Sequence, residues 1–269
     1  MGSPLRGILR LTAYLAWTAL LIPVQAVAIA CRLPVRDSLP RFYHQACCRI
    51  VGLRLDVRGK VSATRPTLFV SNHSSYLDIM VLGALIEGSF VAKTEVGTWP
   101  LFGLLAKLQR SVFIDRRPRN ADRHRNSLQD RLEAGDNLIL FPEGTSSDGN
   151  RTLPFKSALF AAASIEAGGR PIRIQPVSVT ATRLDGIPLG RAFRSVYAWY
   201  GDMDLAPHLW QMVGMGDLTV AVEFHQPVSL ETMPSRKALA DHCWRAVASG
   251  VAAANSGRPV GPGLAAAPA

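Results

Sequence analysis

At 269 residues, with 48% hydrophobic residues and a mean hydropathy of +0.13, the chain can bury a full core and is excluded from the disordered class. A formal charge of +10 and a pI near 10 point to anionic partners: nucleic acid, an anionic bilayer surface or an acidic carrier. Four cysteines (Cys31, Cys47, Cys48 and Cys243) form no CxxC pair, which argues against a disulfide framework and for reduced thiols in a cytosolic compartment.

The first element is Leu11 to Cys31, 21 residues without a charge. About 20 apolar residues match a bilayer core. Arg6 and Arg10 precede this run and Arg32 and Arg36 follow it, so flanking charge does not orient it. Three readings fit: a cleaved signal peptide ending near Ala26-Val27-Ala28, a spanning helix, or a helix kinked at Pro23 that dips into one leaflet. The third is preferred. Its return partner is the amphipathic stretch 38–52 (SLPRFYHQACCRIVG), which mixes apolar positions with Arg41, His44 and Arg49.

After Arg58 short apolar runs alternate with helical stretches. TLFVSN (67–72), SFVAK (89–93), SVFID (111–115), NLILFPEG (137–144), IRIQPVSV (172–179) and LTVAVEF (218–224) read as strands, near-continuously apolar as buried strands are. Helices are expected over 76–87, 99–108, 119–134 (opened near Pro118 or Asn120, stopped at Gly135), 155–167, and from Ser235 to Ala253. The expected fold is α/β: a mostly parallel sheet flanked by helices, with an N-terminal membrane-anchoring helical hairpin. The organisation is residues 1–52 at the membrane, a main domain over 53–254, and a flexible Gly-, Pro- and Ala-rich tail over 255–269.

The segment Asn72-His73-Ser74-Ser75-Tyr76-Leu77-Asp78 lies between a strand and a helix, where α/β sites form. On one helix, residues five apart are rotated by about 140°. His73 in the loop and Asp78 in the first helical turn pair more readily. A carboxylate on one imidazole nitrogen fixes the tautomer and leaves the other as a general base. No GxSxG elbow occurs, so the hydroxyl that the base deprotonates is expected on the substrate. The competing reading is a capping loop in which His73 is only a satisfied polar residue. Pro142-Glu143-Gly144-Thr145 closes a second strand; alone it is a turn with an exposed Glu. Asp115, Arg116, Arg117 and Arg119, followed by Arg123 and Arg125, read either as a solvated basic helix start or as a surface for phosphates.

Together these segments resemble the glycerolipid acyltransferase family typified by lysophosphatidate acyltransferases, over roughly residues 55 to 230. NHSSYLD matches its Asn-His-x4-Asp block at His73 and Asp78. SVFIDR matches the second block through Phe113 to Arg116, FPEGT the third through Phe141 to Thr145, and Gln175-Pro176-Val177 the fourth; AKTEVGTWPLFG, with Lys93 and Gly103, is also similar. The resemblance implies direct transfer: His73, oriented by Asp78, deprotonates a lysolipid hydroxyl that attacks a thioester without an acyl-enzyme. Asn72, Lys93, Glu143, Gly144, Thr145 and Ser146 are expected at the substrate, and Arg116 at its head group. The expected donor is acyl-carrier protein or acyl-coenzyme A, no metal or held cofactor is expected, and the enzyme is expected on the cytoplasmic side of the inner membrane at an anionic surface.

Two positions depart from the family pattern. Arg110 stands where the family has Gly. Ser146 stands where it has an Arg thought to hold the acceptor phosphate, a contact worth about 1.5–3 kcal/mol, or ten- to hundred-fold in preference. FPEGTSSDGN, LPFKSALF and YGDMDLAPHLW are similar to the branch that acylates lyso-ornithine lipid. Asp148, Asp202 and Asp204 are its candidate partners for an ammonium head, and also read as surface turns. Lysophosphatidate is the second acceptor considered. Outside enzymes, the basic stretch suggests a nucleic-acid-binding protein, but no helix-turn-helix, zinc-finger or RNP pattern occurs and the apolar N-terminus is unexplained. A non-catalytic membrane scaffold is disfavoured by intact His73, Asp78 and Glu143.

Overall fold

The computed structural model describes residues 2–114, 121–167 and 169–257. The N-terminus is a helical hairpin. Helix α1 (Pro4–Ala30) starts at Ser3, whose hydroxyl accepts from the Arg6 amide, and continues through Pro23. The chain reverses over 31–34 into α2 (Val35–Val51), which stops at Gly52 with φ of 86°. α2 begins before the expected 38 because Pro34, already helical with φ −56°, serves as its cap. α1 buries Tyr14, Thr18, Gln25 and Ala28, and leaves Leu5, Leu9, Leu20 and Val27 exposed.

The remaining elements follow as β1 (Leu53–Arg58), β2 (Thr67–Ser71), α3 (Leu77–Leu85), β3 (Ser89–Lys93), α4 (Phe102–Leu108), β4 (Val112–Ile114), α5 (Ala121–Glu133) and β5 (Leu138–Leu140). Then come β6 (Glu166–Ala167), β7 (Arg170–Pro171), β8 (Arg173–Leu184), β9 (Ile187–Pro188), α6 (Leu205–Gly214), β10 (Leu218–Phe224) and α7 (Arg236–Ser256). The main sheet runs β1-β10-β8-β2-β5-β3-β4, with β9 paired to β8. Its pairings are parallel except β10 with β8 and β8 with β9.

Successive strand residues point to opposite faces, which gives the sheet two cores. Phe69, Ile139, Val177 and Val179 pack with Val51 of α2 and Leu77, Val81 and Leu82 of α3. Leu68, Val70, Leu138, Leu140 and Ile174 pack on the other side with Leu132 of α5 and Leu239, Cys243 and Val247 of α7. The expected mostly parallel α/β sheet is thus present, with α1 outside α2.

Several boundaries differ from the sequence expectations. Residues 155–167 form a 3-10 helix over Ser157–Ser164 and the short β6, not an α-helix. The segment enters extended at Lys156 and must reach the β6–β7 hairpin while burying Phe160, Ala162 and Ala163; a coil rising about 2.0 Å per residue covers more distance than an α-helix at 1.5 Å. β5 ends at Leu140 rather than 144, because the Pro142 nitrogen has no proton for the ladder. β1 and α6 were not expected. β1 lies at the sheet edge, pairs among the described residues with β10 alone and is mostly exposed, so it lacks a buried strand's apolar run. α7 begins on Ser235, which accepts from the Ala238 amide, and runs to Ser256. The proposed start of α5 at 118–120 lies outside the described residues.

α2 meets α3 at Gly83. A Cβ there would lie 2.4 Å from His44 Cδ2 and 2.8 Å from Cγ. The imidazole is buried and its Nε2 is 3.0 Å from Gln109 Oε1, so it has little freedom to give way. Gly83→Ala is therefore expected to destabilise the protein by about 1–3 kcal/mol. Thermal melts in detergent check this; an unchanged melting temperature would show that the hairpin is not seated on α3 this tightly.

Candidate active site

β2, β5 and β3 are adjacent and parallel, so their C-terminal ends open onto one edge of the sheet. The chain leaving them carries His73, Phe141 to Ser146, and Lys93. Short parallel strands thus gather residues as far apart in the chain as His73 and Ser146, the geometry in which α/β sites form.

His73 lies in the loop after β2, and Asp78 in the first turn of α3. His73 Nδ1 is 2.9 Å from Asp78 Oδ2. The same oxygen accepts from the Ser74 and Ser75 amides at 2.7 and 2.9 Å, and Oδ1 accepts from the Tyr197 hydroxyl at 2.8 Å. Four donors converge on a carboxylate with no solvent exposure, at a helix N-terminus that favours negative charge. An acceptor facing Nδ1 assigns the proton to Nδ1 and leaves the Nε2 lone pair free of Asp78. The imidazole stacks on Phe141 with centroids 4.1 Å apart. The folded-back loop expected from the five-residue spacing is what forms, and it leaves His73 poised to accept a proton at Nε2.

Glu143 is not the exposed turn residue that its sequence context suggests. It is 2% exposed, and its Oε1 accepts from the His73 amide at 3.2 Å. Burial is the main cause that pushes its carboxyl up to about 8; the His73 and Leu153 amides oppose this and the Asp78 charge adds to it. Folded protein therefore holds this proton above the ordinary value of 4.5, and the unfolded chain releases it there. That contribution is complete below the ordinary value and is lost as pH rises through about 8. Glu143→Gln, uncharged at all pH, is expected to melt above the parent at pH 8.5 by several degrees, with the gap narrowing toward pH 5. A gap independent of pH would show that Glu143 does not titrate in this range.

Asn72 was expected at the substrate, but the structure places it elsewhere. It is 3% exposed, and its side chain both donates to Val179 O and accepts from Val179 N at 2.8 Å, which extends the pairing of β2 with β8. Gln175 of the fourth block is likewise buried, donating to Lys60 O and His225 O and accepting from Ser62 N. Both hold backbone in place. Arg110 has φ of 58°, a left-handed conformation that explains why glycine suits this position; here its guanidinium pairs with Asp37 of α2 and with Asp136. Arg116, with Asp115, Arg117 and Arg119, lies outside the described residues, as do the side chains of Arg123 and Arg125.

His73, Lys93, Gly144, Thr145 and Ser146 all line one cavity of about 470 Å³. Its walls are largely apolar, including Ile79, Met80, Phe90, Phe141 and Leu105, and it extends to Thr18, Ile22 and Gln25 of α1 and Tyr43 of α2. Trp99 and Trp199 contribute, edge to face at 6.1 Å. Sequence reasoning did not single out Tyr197, which meets Asp78 across 119 positions, or Trp199 as a wall residue. Among the described residues no cluster of His, Cys, Asp and Glu suits a metal ion.

A sequence model of the family described as Acyltransferase matches residues 54–180. The lyso-ornithine lipid O-acyltransferase of Brucella abortus is 43% identical over 244 residues, covering 89% of this chain and 91% of the relative. The chain belongs to the acyltransferase family. The 1-acyl-sn-glycerol-3-phosphate acyltransferase of Neisseria gonorrhoeae is 34% identical over 65% of each chain. The crystal structure of the 1-acyl-sn-glycerophosphate acyltransferase PlsC from Thermotoga maritima shares the acyltransferase fold, with a TM-score of 0.65 over 92% of each chain at 21% identity.

Proposed function

We propose that this acyltransferase moves a fatty acyl group from a carrier-protein or coenzyme A thioester onto the hydroxyl of lyso-ornithine lipid. The observation that carries the reading is the His73–Asp78 pair opening on a 470 Å³ apolar cavity that reaches the N-terminal hairpin. Nε2 of His73 takes the proton from the acceptor hydroxyl as its oxygen attacks the thioester carbonyl. The tetrahedral intermediate collapses with cleavage of the carbon–sulfur bond, and the imidazolium returns the proton to the departing sulfur. Asp78 supports the imidazolium between these steps. No acyl-enzyme, metal or held cofactor enters this scheme. The direct test is free-thiol release from the thioester by purified protein, expected only when lysolipid is added; release without acceptor would contradict direct transfer.

The hairpin supplies the route from the membrane. α1 has a mean hydropathy of 1.8 over its most apolar window and exposes leucines and valines, and Phe42 of α2 and Leu104 of α4 are exposed as well. In this reading α1 and α2 lie in one leaflet of the inner membrane, with the sheet on the cytoplasmic side. Anionic lipid attracts the basic chain, and the four free cysteines suit that compartment.

Ser146 carries the acceptor assignment. It lines the cavity where the phosphate-acylating pattern has Arg, so a phosphate monoester would lack a charge-assisted contact. For the ornithine ammonium, Asp202 and Asp204 are better placed than Asp148. They are exposed between Gly201 and Leu205, both cavity residues, whereas both oxygens of Asp148 accept from Asn150. In a competition assay, lyso-ornithine lipid is expected to outcompete lysophosphatidate. Ser146→Arg is expected to shift that ratio about ten- to hundred-fold toward the phosphate. Preference of the parent enzyme for lysophosphatidate would overturn the assignment in favour of the Neisseria-like reading.

A further inference from the structure

The segment that follows the Arg194–Val196 turn is fixed at three points around the His73 loop. Val196 O lies 3.1 Å from His208 Nε2, and His208 Nδ1 is 3.1 Å from the Tyr76 hydroxyl. A carbonyl can only accept, so Nε2 carries the ring proton and Nδ1 accepts from Tyr76. The Trp199 amide donates to Ser74 O at 2.8 Å. Between these two ties the Tyr197 hydroxyl reaches Asp78 Oδ1 at 2.8 Å.

We infer that Tyr197 is a positioning residue for the reaction, acting through Asp78 on the basicity and orientation of His73. This rests on the proposal that His73 is the base. Tyr197 is 1% exposed and lies in the core cluster with Leu77, Val81 and Met80. Phenylalanine would fill most of that space, so packing alone does not account for the hydroxyl. The three donors on Oδ2 fix one oxygen of the carboxylate; the phenol engages the other and opposes rotation about the carboxylate axis. Its hydrogen bond also draws negative charge toward Oδ1, away from the oxygen that faces the imidazole. Burial and the neighbouring Asp78 charge keep the phenol protonated, so it remains a donor throughout the working range. Without it, Oδ1 is buried with no donor and the carboxylate binds the imidazolium proton more tightly. The expected consequence is a base that gains protons more readily and returns its proton to sulfur less readily.

Tyr197→Phe is therefore expected to lower kcat roughly ten- to a hundred-fold with KM for the lysolipid little changed. The acid limb of the kcat/KM profile should move to higher pH. Fluorotyrosine at position 197, a stronger donor of nearly the same shape, should move that limb to lower pH and serves if the Phe variant does not fold. In the Asp78→Asn background, Tyr197→Phe should add far less than it does alone, because both changes act on one group. Unchanged kcat and pH profile in Tyr197→Phe, or additive losses in the double variant, would overturn the inference and leave a structural role only. His73→Ala assayed alongside separates the two readings: activity surviving that change removes the base itself.

Discussion

His73→Ala is expected to lower lysolipid-dependent thiol release by about 10²–10⁴-fold, with the fold retained. The size follows from the chemistry. A lipid alcohol is a poor nucleophile unless its proton leaves as the carbon–oxygen bond forms, and His73 is the cavity-lining group whose second nitrogen is already oriented by a buried carboxylate. Truncation removes a ring 20% exposed and stacked on Phe141, so the stability change should be small beside the rate loss. KM for the thioester should stay near the parent value, because binding in the apolar cavity does not depend on the proton acceptor. The measurement is steady-state thiol release with circular dichroism as a fold control; near-parent rates would remove His73 as the base.

Asp78→Asn carries the second large effect, on two readouts. An amide in place of the carboxylate turns one acceptor into a donor where four donors converge, so at least one pairing becomes repulsive or is lost. If the amide nitrogen faces His73, it selects the tautomer with the proton on Nε2 and abolishes the base, and the buried Ser74 and Ser75 amides lose their acceptor too; a loss on the order of 10³–10⁴ in kcat is expected, as for a triad carboxylate changed to amide, together with the larger fall in melting temperature. If it faces Tyr197, the phenol loses its acceptor in a site that water does not reach, at a stability cost of about 1–3 kcal/mol. Rate and melting temperature measured on one preparation distinguish these outcomes. Full activity with an unchanged melting temperature would refute the electrostatic account of this loop.

His73 and Asp78 were legible because their link is local: five positions, one loop and one helical turn leave few geometries in which they meet. Glu143 and Asn72 were harder, because side chains in a motif read alike whether they face a substrate or hold backbone. Only their burial, and the His73 amide and Val179 partners that they satisfy, reveals the second role. Tyr197 carried no local signal, since its partner lies 119 positions away and a tyrosine before Ala-Trp-Tyr is unremarkable in composition.

Elements divided in the same way. The strands buried in the sheet centre announced themselves as apolar runs, because a strand covered on both faces has no polar side to show. β1 did not, because an edge strand keeps one side and one row of backbone groups in water. The 3-10 helix at Ser157–Ser164 escaped notice because its Ala-rich composition favours an α-helix and only the fixed distance between its ends selects the tighter coil.

By itself the sequence determined the layer architecture, the bilayer-length apolar run near the N-terminus and the imidazole–carboxylate pair, since each follows from periodicity, length or short spacing along one chain. The tertiary structure decided the rest: which carboxylates are buried, which amide braces a strand, that α1 and α2 wall the cavity beside His73, and that a distant phenol closes on Asp78. These depend on contacts between segments far apart in the chain, whose free energies come from burial and hydrogen-bond satisfaction in three dimensions and leave no fixed spacing to read.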